Sequence, residues 1–143
     1  PGVTGFLDTN YVGKAEYALQ ALKEKDFVYV HVEAPDEASH NGSIRDKIQA
    51  IEDFDEKVVG TVLGNAAAIA DLRIMVLPDH ATPICTMTHA SDPIPFIIYP
   101  SIPGMNGGGF AVYNEQEADS SDLYLASGHQ LMDLFIHGKK PAQ

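Results

Sequence analysis

Two short apolar runs set the terms for this chain. Phe27-Val-Tyr-Val-His-Val32 is β-branched and aromatic without Gly or Pro, and Arg73-Ile-Met-Val-Leu77 is its shorter counterpart. Both read as strands, the first a buried one. Each run is followed by a proline (Pro35, Pro78) and then by an aspartate and a histidine: Asp36 with His40, and Asp79 with His80. The chain is expected to break at Pro35. If one helical turn follows, residues four apart share a face, with Cβ atoms about 5–6 Å apart. A carboxylate and an imidazole that close can share a divalent cation, although such a pair by itself equally makes a hydrogen bond. The repeat is the stronger signal, because open α/β sheets bind ligands beyond the carboxyl ends of their strands. His89 follows, just before the Asp92-Pro-Ile-Pro95 corner. Two carboxylates and three imidazoles are about what two metal ions need, with coordination positions left open.

The remaining elements fit around these runs. Asp8-Thr9-Asn10 offers caps for a helix over 11–25, with Ala15, Ala18, Leu19 and Leu22 on its packed face. Lys14, in the first turns, is most simply a solvated side chain. Ser43-Ile-Arg-Asp46 is a capped helix start. From there Ile44, Ile48, Ile51, Phe54, Val58 and Val62 mark one packed stripe, and the helix ends near Gly64-Asn65. Ala66–Ala70 extends it briefly. Phe96–Tyr99 reads as a third strand, 100–109 as a loop and Phe110–Tyr113 as an edge strand. Asn114–Asp122 reads as an acidic surface loop running into Ser120 and Ser121 as caps. Leu131–Ile136 forms a last amphipathic helix, and Lys139–Gln143 a frayed end. Strand, loop and crossover helix in alternation predict an α/β fold with a mostly parallel sheet flanked by helices.

Composition narrows the partners. Nine Lys plus Arg against twenty Asp plus Glu give a net charge of −11, which repels nucleic acid and anionic lipid. No apolar run approaches the roughly 18–20 residues of a membrane span, and no signal peptide is apparent. A single cysteine, Cys85, fits a reducing, cytoplasmic compartment and reads as a small buried side chain. Any phosphate handled by so acidic a chain needs strong local positive charge, which bound divalent cations supply. Of the other titratable groups, His31 is expected to be packed inside its strand, and His129 and His137 to be surface groups. Glu33 and Glu37 are candidates for orienting a ligand imidazole.

The ordered strings Gly5-Phe-Leu-Asp-Thr-Asn10, Ala34-Pro-Asp-Glu-Ala-Ser-His40-Asn-Gly, Ile48-Gln-Ala-Ile-Glu-Asp-Phe-Asp55, Leu77-Pro-Asp-His-Ala-Thr-Pro83, His89-Ala-Ser-Asp-Pro-Ile-Pro95 and Ser127-Gly-His-Gln-Leu-Met132 resemble the archaeal-type cofactor-independent phosphoglycerate mutases of the alkaline-phosphatase-like superfamily. The resemblance implies a partial alkaline-phosphatase-like core over residues 1–143, the C-terminal portion of such a metalloenzyme domain. It implies two divalent metal ions (Mn, Mg, Co or Zn), one held by Asp36, His40 and His89 and the other by Asp79 and His80. It also implies the interconversion of 3-phosphoglycerate and 2-phosphoglycerate through a phosphoserine, in glycolysis and gluconeogenesis. The family's nucleophilic Ser block, its early Asp and its arginine-bearing insert have no counterpart in this sequence, whose two arginines are Arg45 and Arg73. The activity therefore belongs to a longer parent. The piece alone is expected to be inactive, to bind metal weakly, and to expose an open edge or apolar face that invites homo-oligomerisation. Two alternatives stand beside this one: another mutase or a phosphodiesterase of the same superfamily, and a non-catalytic metal-binding module.

Overall fold

Helical signals dominate the first seventy residues and the second apolar run seeds something separate. The computed structural model, which describes residues 1–102 and 112–138, accordingly divides into two units. One comprises Pro1–Asp71 with Thr82–Ala90, the other Leu72–Ala81 with Ser91–Gln143.

In the first unit, helix α1 (Tyr11–Ala21) starts where Asn10 caps it, the side-chain oxygen accepting from the Gly13 N–H at 2.9 Å. Gly13 makes room for that cap, since a Cβ there would lie 2.4 Å from the Asn10 amide nitrogen. The helix stops short of the predicted Lys25, and a turn carries the chain on, with Lys25 N–H bonded to the Ala21 carbonyl at 2.9 Å. Helix α2 (Ala34–His40) contains Pro35 rather than being broken by it. In the first turn the missing N–H costs nothing, and the fixed φ suits the helix. Ser43 caps α3 (Ile44–Asp53), accepting from Asp46 N–H at 3.3 Å. The helix then passes through a π-helical segment (Phe54–Val59) into α4 (Gly60–Asn65) and a single 3₁₀ turn at Ala66–Ala68.

The core of this unit is Tyr11, Ala15, Ala34, Ala50 and Val58, with Leu7, Val30, Val32, Phe54 and Val62 packed on it. The predicted stripe is thus only half correct. Phe54, Val58 and Val62 turn inward, but Ile44, Ile48 and Ile51 are 63%, 53% and 50% exposed. Ala50, fully buried, sits on the inward face in their place. The wider turn of the π segment keeps residues four apart, 54, 58 and 62, above one another.

The Phe27–Val32 run is laid down with strand-like alternation. Val28, Val30 and Val32 are half-buried while Phe27, Tyr29 and His31 are exposed, and no ladder forms along it among the described residues. It is one-sided rather than buried. His31 is therefore not a packed residue: its ring stacks on Tyr29 and its Nε2 lies 3.5 Å from Glu33. Lys14 is not simply solvated either, since its ammonium donates to the His31 carbonyl at 2.6 Å.

The second unit holds strands β1 (Ile74–Val76) and β2 (Ile97–Tyr99), which pair antiparallel with Ile74 opposite Tyr99 and Val76 opposite Ile97. Helices and a small two-stranded sheet are what the described residues contain, and the mostly parallel sheet expected from the sequence is not among them. The reason is local: Pro78, Pro83, Pro93 and Pro95 punctuate the β1–β2 connection, so no crossover helix forms there to bring the strand back parallel. Asn114 does more than border a loop, because it caps a short helix α5 (Glu115–Asp119), accepting from Glu117 N–H at 2.8 Å. Helix α6 (Gln130–His137) ends at Gly138 in the left-handed region, φ 63°, and His129 and His137 are exposed as predicted. Ile102, Leu131 and Leu134 form this unit's core against Met75, Leu77, Phe96 and Ile98. The Arg73 guanidinium donates to the Phe135 carbonyl in the last turn of α6, where a cation complements the helix dipole. Val112 and Tyr113 are irregular rather than strand. The rest of the predicted edge strand (Phe110, Ala111), the loop beyond Ile102 and the tail from Lys139 lie outside the described residues.

One buried carboxylate is bonded along α3 and its π-helical continuation. Asp53 Oδ1 accepts from Gln49 at 3.0 Å and lies 2.9 Å from the Lys57 ammonium. The bond from Lys57 outweighs the cost of burial and holds the Asp53 carboxyl below the usual carboxylate range. Burial and the facing Asp53 charge push the Tyr11 hydroxyl up. Since the folded pKa of Asp53 is depressed, its contribution is complete above the unfolded value of about 3.9 and is lost as pH falls through the folded one. Asp53→Asn should cost about 1 kcal/mol at pH 7, read from urea midpoints. The wild type should converge on the variant as the pH is lowered below 4, the range that begins at that unfolded value.

Candidate metal centre

The first unit builds a cluster from two separated segments. Helix α2 is only two turns long, and both chemically useful side chains lie on one face of it. Asp36 stands in its first turn and His40 at its last residue, with Asp36 Oδ2 3.2 Å from His40 Nε2. The turn beginning at Pro83 brings His89 to the same place. Its Nε2 lies 3.1 Å from His40 Nε2 and 3.6 Å from Asp36 Oδ1, and the two rings are tilted with centroids 5.0 Å apart. Donor atoms about 2.1 Å from a common cation lie roughly 3.0–3.4 Å from one another; the 3.1 and 3.2 Å spacings fall in that range, and the 3.6 Å one, measured from the other Asp36 oxygen, lies just beyond it. The side chains are 31% (Asp36), 35% (His40) and 54% (His89) exposed, open to solvent on one side and walled on the other.

Two residues that the sequence reading passed over hold this cluster. Thr82, almost completely buried, donates its hydroxyl to Asp36 Oδ1, and its own carbonyl accepts from the Lys47 ammonium at 2.9 Å. The Thr82-Pro83 dipeptide confines Thr82 to extended backbone but carries no sign of the contact its hydroxyl makes. The second is Met87, whose backbone carbonyl lies 2.9 Å from His40 Nδ1. A carbonyl can only accept, so in this contact the hydrogen sits on Nδ1, and Nε2 is the ring nitrogen that faces Asp36 and His89.

Asp79 and His80 belong to the second unit, just past β1. Asp79 Oδ1 accepts from the His80 N–H at 3.1 Å, and Oδ2 lies 3.4 Å from His80 Nε2. They form a local carboxylate–imidazole pair at the end of a strand. Glu33 pairs with His31 rather than with a cluster imidazole. Glu37 faces a shallow groove with Phe6, Leu7 and Asn41. Cys85 is exposed and free, contrary to the small buried side chain expected; its place in the Pro83 turn leaves no core nearby to receive it.

The sequence profile of the Metalloenzyme superfamily matches residues 1–137. A protein from Methanosarcina mazei named 2,3-bisphosphoglycerate-independent phosphoglycerate mutase is 57% identical over 136 residues, covering 94% of this chain and 34% of that protein. One of the same name from Methanosarcina acetivorans is 46% identical over 137 residues, covering 95% of this chain and 34% of that protein. A solved structure, the PH0037 protein from Pyrococcus horikoshii, superposes with a TM-score of 0.83 at 28% identity, covering 95% of this chain and 40% of that one. The chain spans about a third of the length of the curated relatives it matches. No helix of the described residues is long and apolar enough to cross a membrane.

The Thr82 contact has a direct test. Thr82→Val keeps the shape but removes the hydroxyl that serves Asp36. It should lose about 1–2 kcal/mol in urea unfolding, and Thr82→Ser should retain most of the wild-type stability. Equal stability of all three proteins would show that the hydroxyl contributes nothing.

Proposed function

We propose that this chain, which belongs to the Metalloenzyme superfamily, is the metal-ligating C-terminal part of a 2,3-bisphosphoglycerate-independent phosphoglycerate mutase. Asp36, His40 and His89 hold one divalent cation, and Asp79 with His80 supplies ligands to a second. Support comes chiefly from one observation: the two Asp36 oxygens and the Nε2 atoms of His40 and His89, from two separated segments of one unit, make contacts of 3.1–3.6 Å. The names of the relatives supply the substrate class, phosphoglycerate. One carboxylate with two imidazoles suits Mn, Co or Zn better than Mg. Cations at such a site clamp the oxygens of a phosphoryl group and neutralise charge that develops on them. This chain's own part is to hold the ligands still: Thr82 fixes Asp36, and the Met87 carbonyl fixes His40. The serine that accepts the phosphoryl group and the groups that bind glycerate belong to the rest of the parent, a cytoplasmic enzyme of glycolysis.

The same reading accounts for surface that the chain leaves uncovered. The Ile44, Ile48 and Ile51 stripe and the outer face of the Phe27–Val32 run are where the rest of the parent packs, the latter as a strand of the parallel alkaline-phosphatase-like sheet. The isolated chain should therefore self-associate as its concentration rises, visible in sedimentation equilibrium; a monomer throughout would argue against this assignment.

The decisive experiment uses the whole protein that contains this chain. It should interconvert 3-phosphoglycerate and 2-phosphoglycerate, lose activity on chelation and regain it with Mn²⁺ or Co²⁺. Asp36→Asn and His89→Ala should each lower kcat/KM by more than about 100-fold, beyond what an outer-shell change gives. Abundant phosphatase turnover without mutase activity, or full activity in both variants, would overturn the reading.

A further inference from the structure

We propose that Met87 is a positioning residue whose left-handed backbone presents its carbonyl to His40 and so fixes which imidazole nitrogen faces a cation. The inference rests on the reading of Asp36, His40 and His89 as cation ligands and deepens it.

Met87 has φ 51°, and Asp71 is the other non-glycine at positive φ among the described residues. For a residue with a Cβ this conformation costs about 1–2 kcal/mol, and it persists only where the surroundings enforce it. Those surroundings are visible. Thr86 and Met87 both turn their N–H groups onto the Pro83 carbonyl, at 3.1 and 2.9 Å. The Met87 side chain folds over Gly42, where an added Cβ would stand 3.1 Å from its sulfur. Gly42 is itself left-handed, φ 67°, at the point where α2 ends. The end of α2 and the 83–87 turn therefore interlock, with the Met87 thioether seated on a glycine that must stay bare.

The consequence falls on His40. The interlock leaves the Met87 carbonyl 2.9 Å from Nδ1, while Nε2 looks toward Asp36 and His89. With a cation between Nε2 and Asp36, the opposite tautomer would set a ring lone pair against the carbonyl lone pair at that distance and turn an N–H toward the cation. Without one, an Nε2 proton meets the Asp36 carboxylate 3.2 Å away, so the carbonyl selects the tautomer when a cation is bound. Partners of this kind determine the tautomer and plane of a ligand imidazole.

The test separates backbone from side chain. In the wild-type chain loaded with Zn²⁺, a diamagnetic cation, above the pH range where imidazole titrates, long-range ¹H–¹⁵N spectra should show His40 protonated at Nδ1 and unprotonated at Nε2. Met87→Gly adopts positive φ without strain and keeps the carbonyl, so it should retain that tautomer and bind Mn²⁺ more tightly than a variant that strains the backbone, measured from the free-ion electron paramagnetic resonance signal. Met87→Ile, β-branched and disfavoured at positive φ, should mix the tautomers and weaken Mn²⁺ binding about 10–100-fold. A His40 protonated at Nε2 in the wild type would overturn the inference without recourse to any variant, even if Met87→Ile fails to fold. Equal Mn²⁺ affinity in folded Met87→Gly and Met87→Ile would overturn it too. Mn²⁺ uptake with the wrong tautomer sinks this inference alone. No uptake of Mn²⁺ or Zn²⁺ sinks the ligand reading and this inference with it.

Discussion

The junction between α2 and α3 is the constraint on which the first unit turns. Helix α2 must stop immediately after His40 if that imidazole is to face outward beside Asp36. Gly42 makes the stop by entering the left-handed region, with Gly42 N–H on the Ser39 carbonyl at 2.9 Å and Ser43 N–H on the Ala38 carbonyl at 3.0 Å. These bonds satisfy carbonyls that the helix end would otherwise orphan. Ser43 then caps α3 within the same turn. One residue thus closes one helix and opens the next, so the direction of α3, and with it the burial of Ala50 and Val58, follows from where α2 ends. Asp36 and His40 inherit their geometry from a turn that contains neither of them.

How far the sequence disclosed this depends on whether the signal was local. Caps are local, so Asn10 and Ser43 were legible, as was the four-residue spacing that put Asp36 and His40 on one face. The run Ile44–Val62 was misread because periodicity says that a face exists without saying which way it points. The helix buries Ala50, a small residue that permits close approach, and leaves three isoleucines outside, each forgoing about 1.5–3 kcal/mol of burial. That choice is made by packing partners, and sequence period cannot see them. Phe27–Val32 differs in a related way: its composition announces a strand, but a strand's two faces are covered by neighbours, and here Val28, Val30 and Val32 are half-buried while Phe27, Tyr29 and His31 are exposed. Asn114 heads a stretch whose acidic composition says loop, although an asparagine three residues before a glutamate is also a helix start.

The contacts that hold the cluster were invisible for a third reason. Thr82 and Met87 act through a hydroxyl and a backbone carbonyl, groups that belong to no ligand vocabulary. Both lie in a segment whose course is set by Pro83. The proline confines Thr82 on one side, and its own carbonyl gathers two N–H groups on the other. What looked like spacing between His80 and His89 is a folded turn that delivers three separate contacts: hydroxyl to Asp36, carbonyl to His40, imidazole to the pair.

Charge explains why so few carboxylates suffice. A chain of net charge −11 repels a phosphorylated molecule at long range, and at an ionic strength near 0.15 M that field decays within about 8 Å. Attraction therefore has to be made locally. In the proposed centre a divalent cation meets one carboxylate, Asp36, and two imidazoles that add no charge, which leaves a net +1 where a phosphoryl oxygen would arrive. Replacing the imidazoles by further carboxylates would grip the cation more strongly and cancel the positive charge that a phosphate needs. The neutral imidazole is the ligand that binds without neutralising, provided its lone pair faces inward. In the proposed centre that task would fall, for His40, to the Met87 carbonyl 2.9 Å from Nδ1, an acceptor with no proton to exchange.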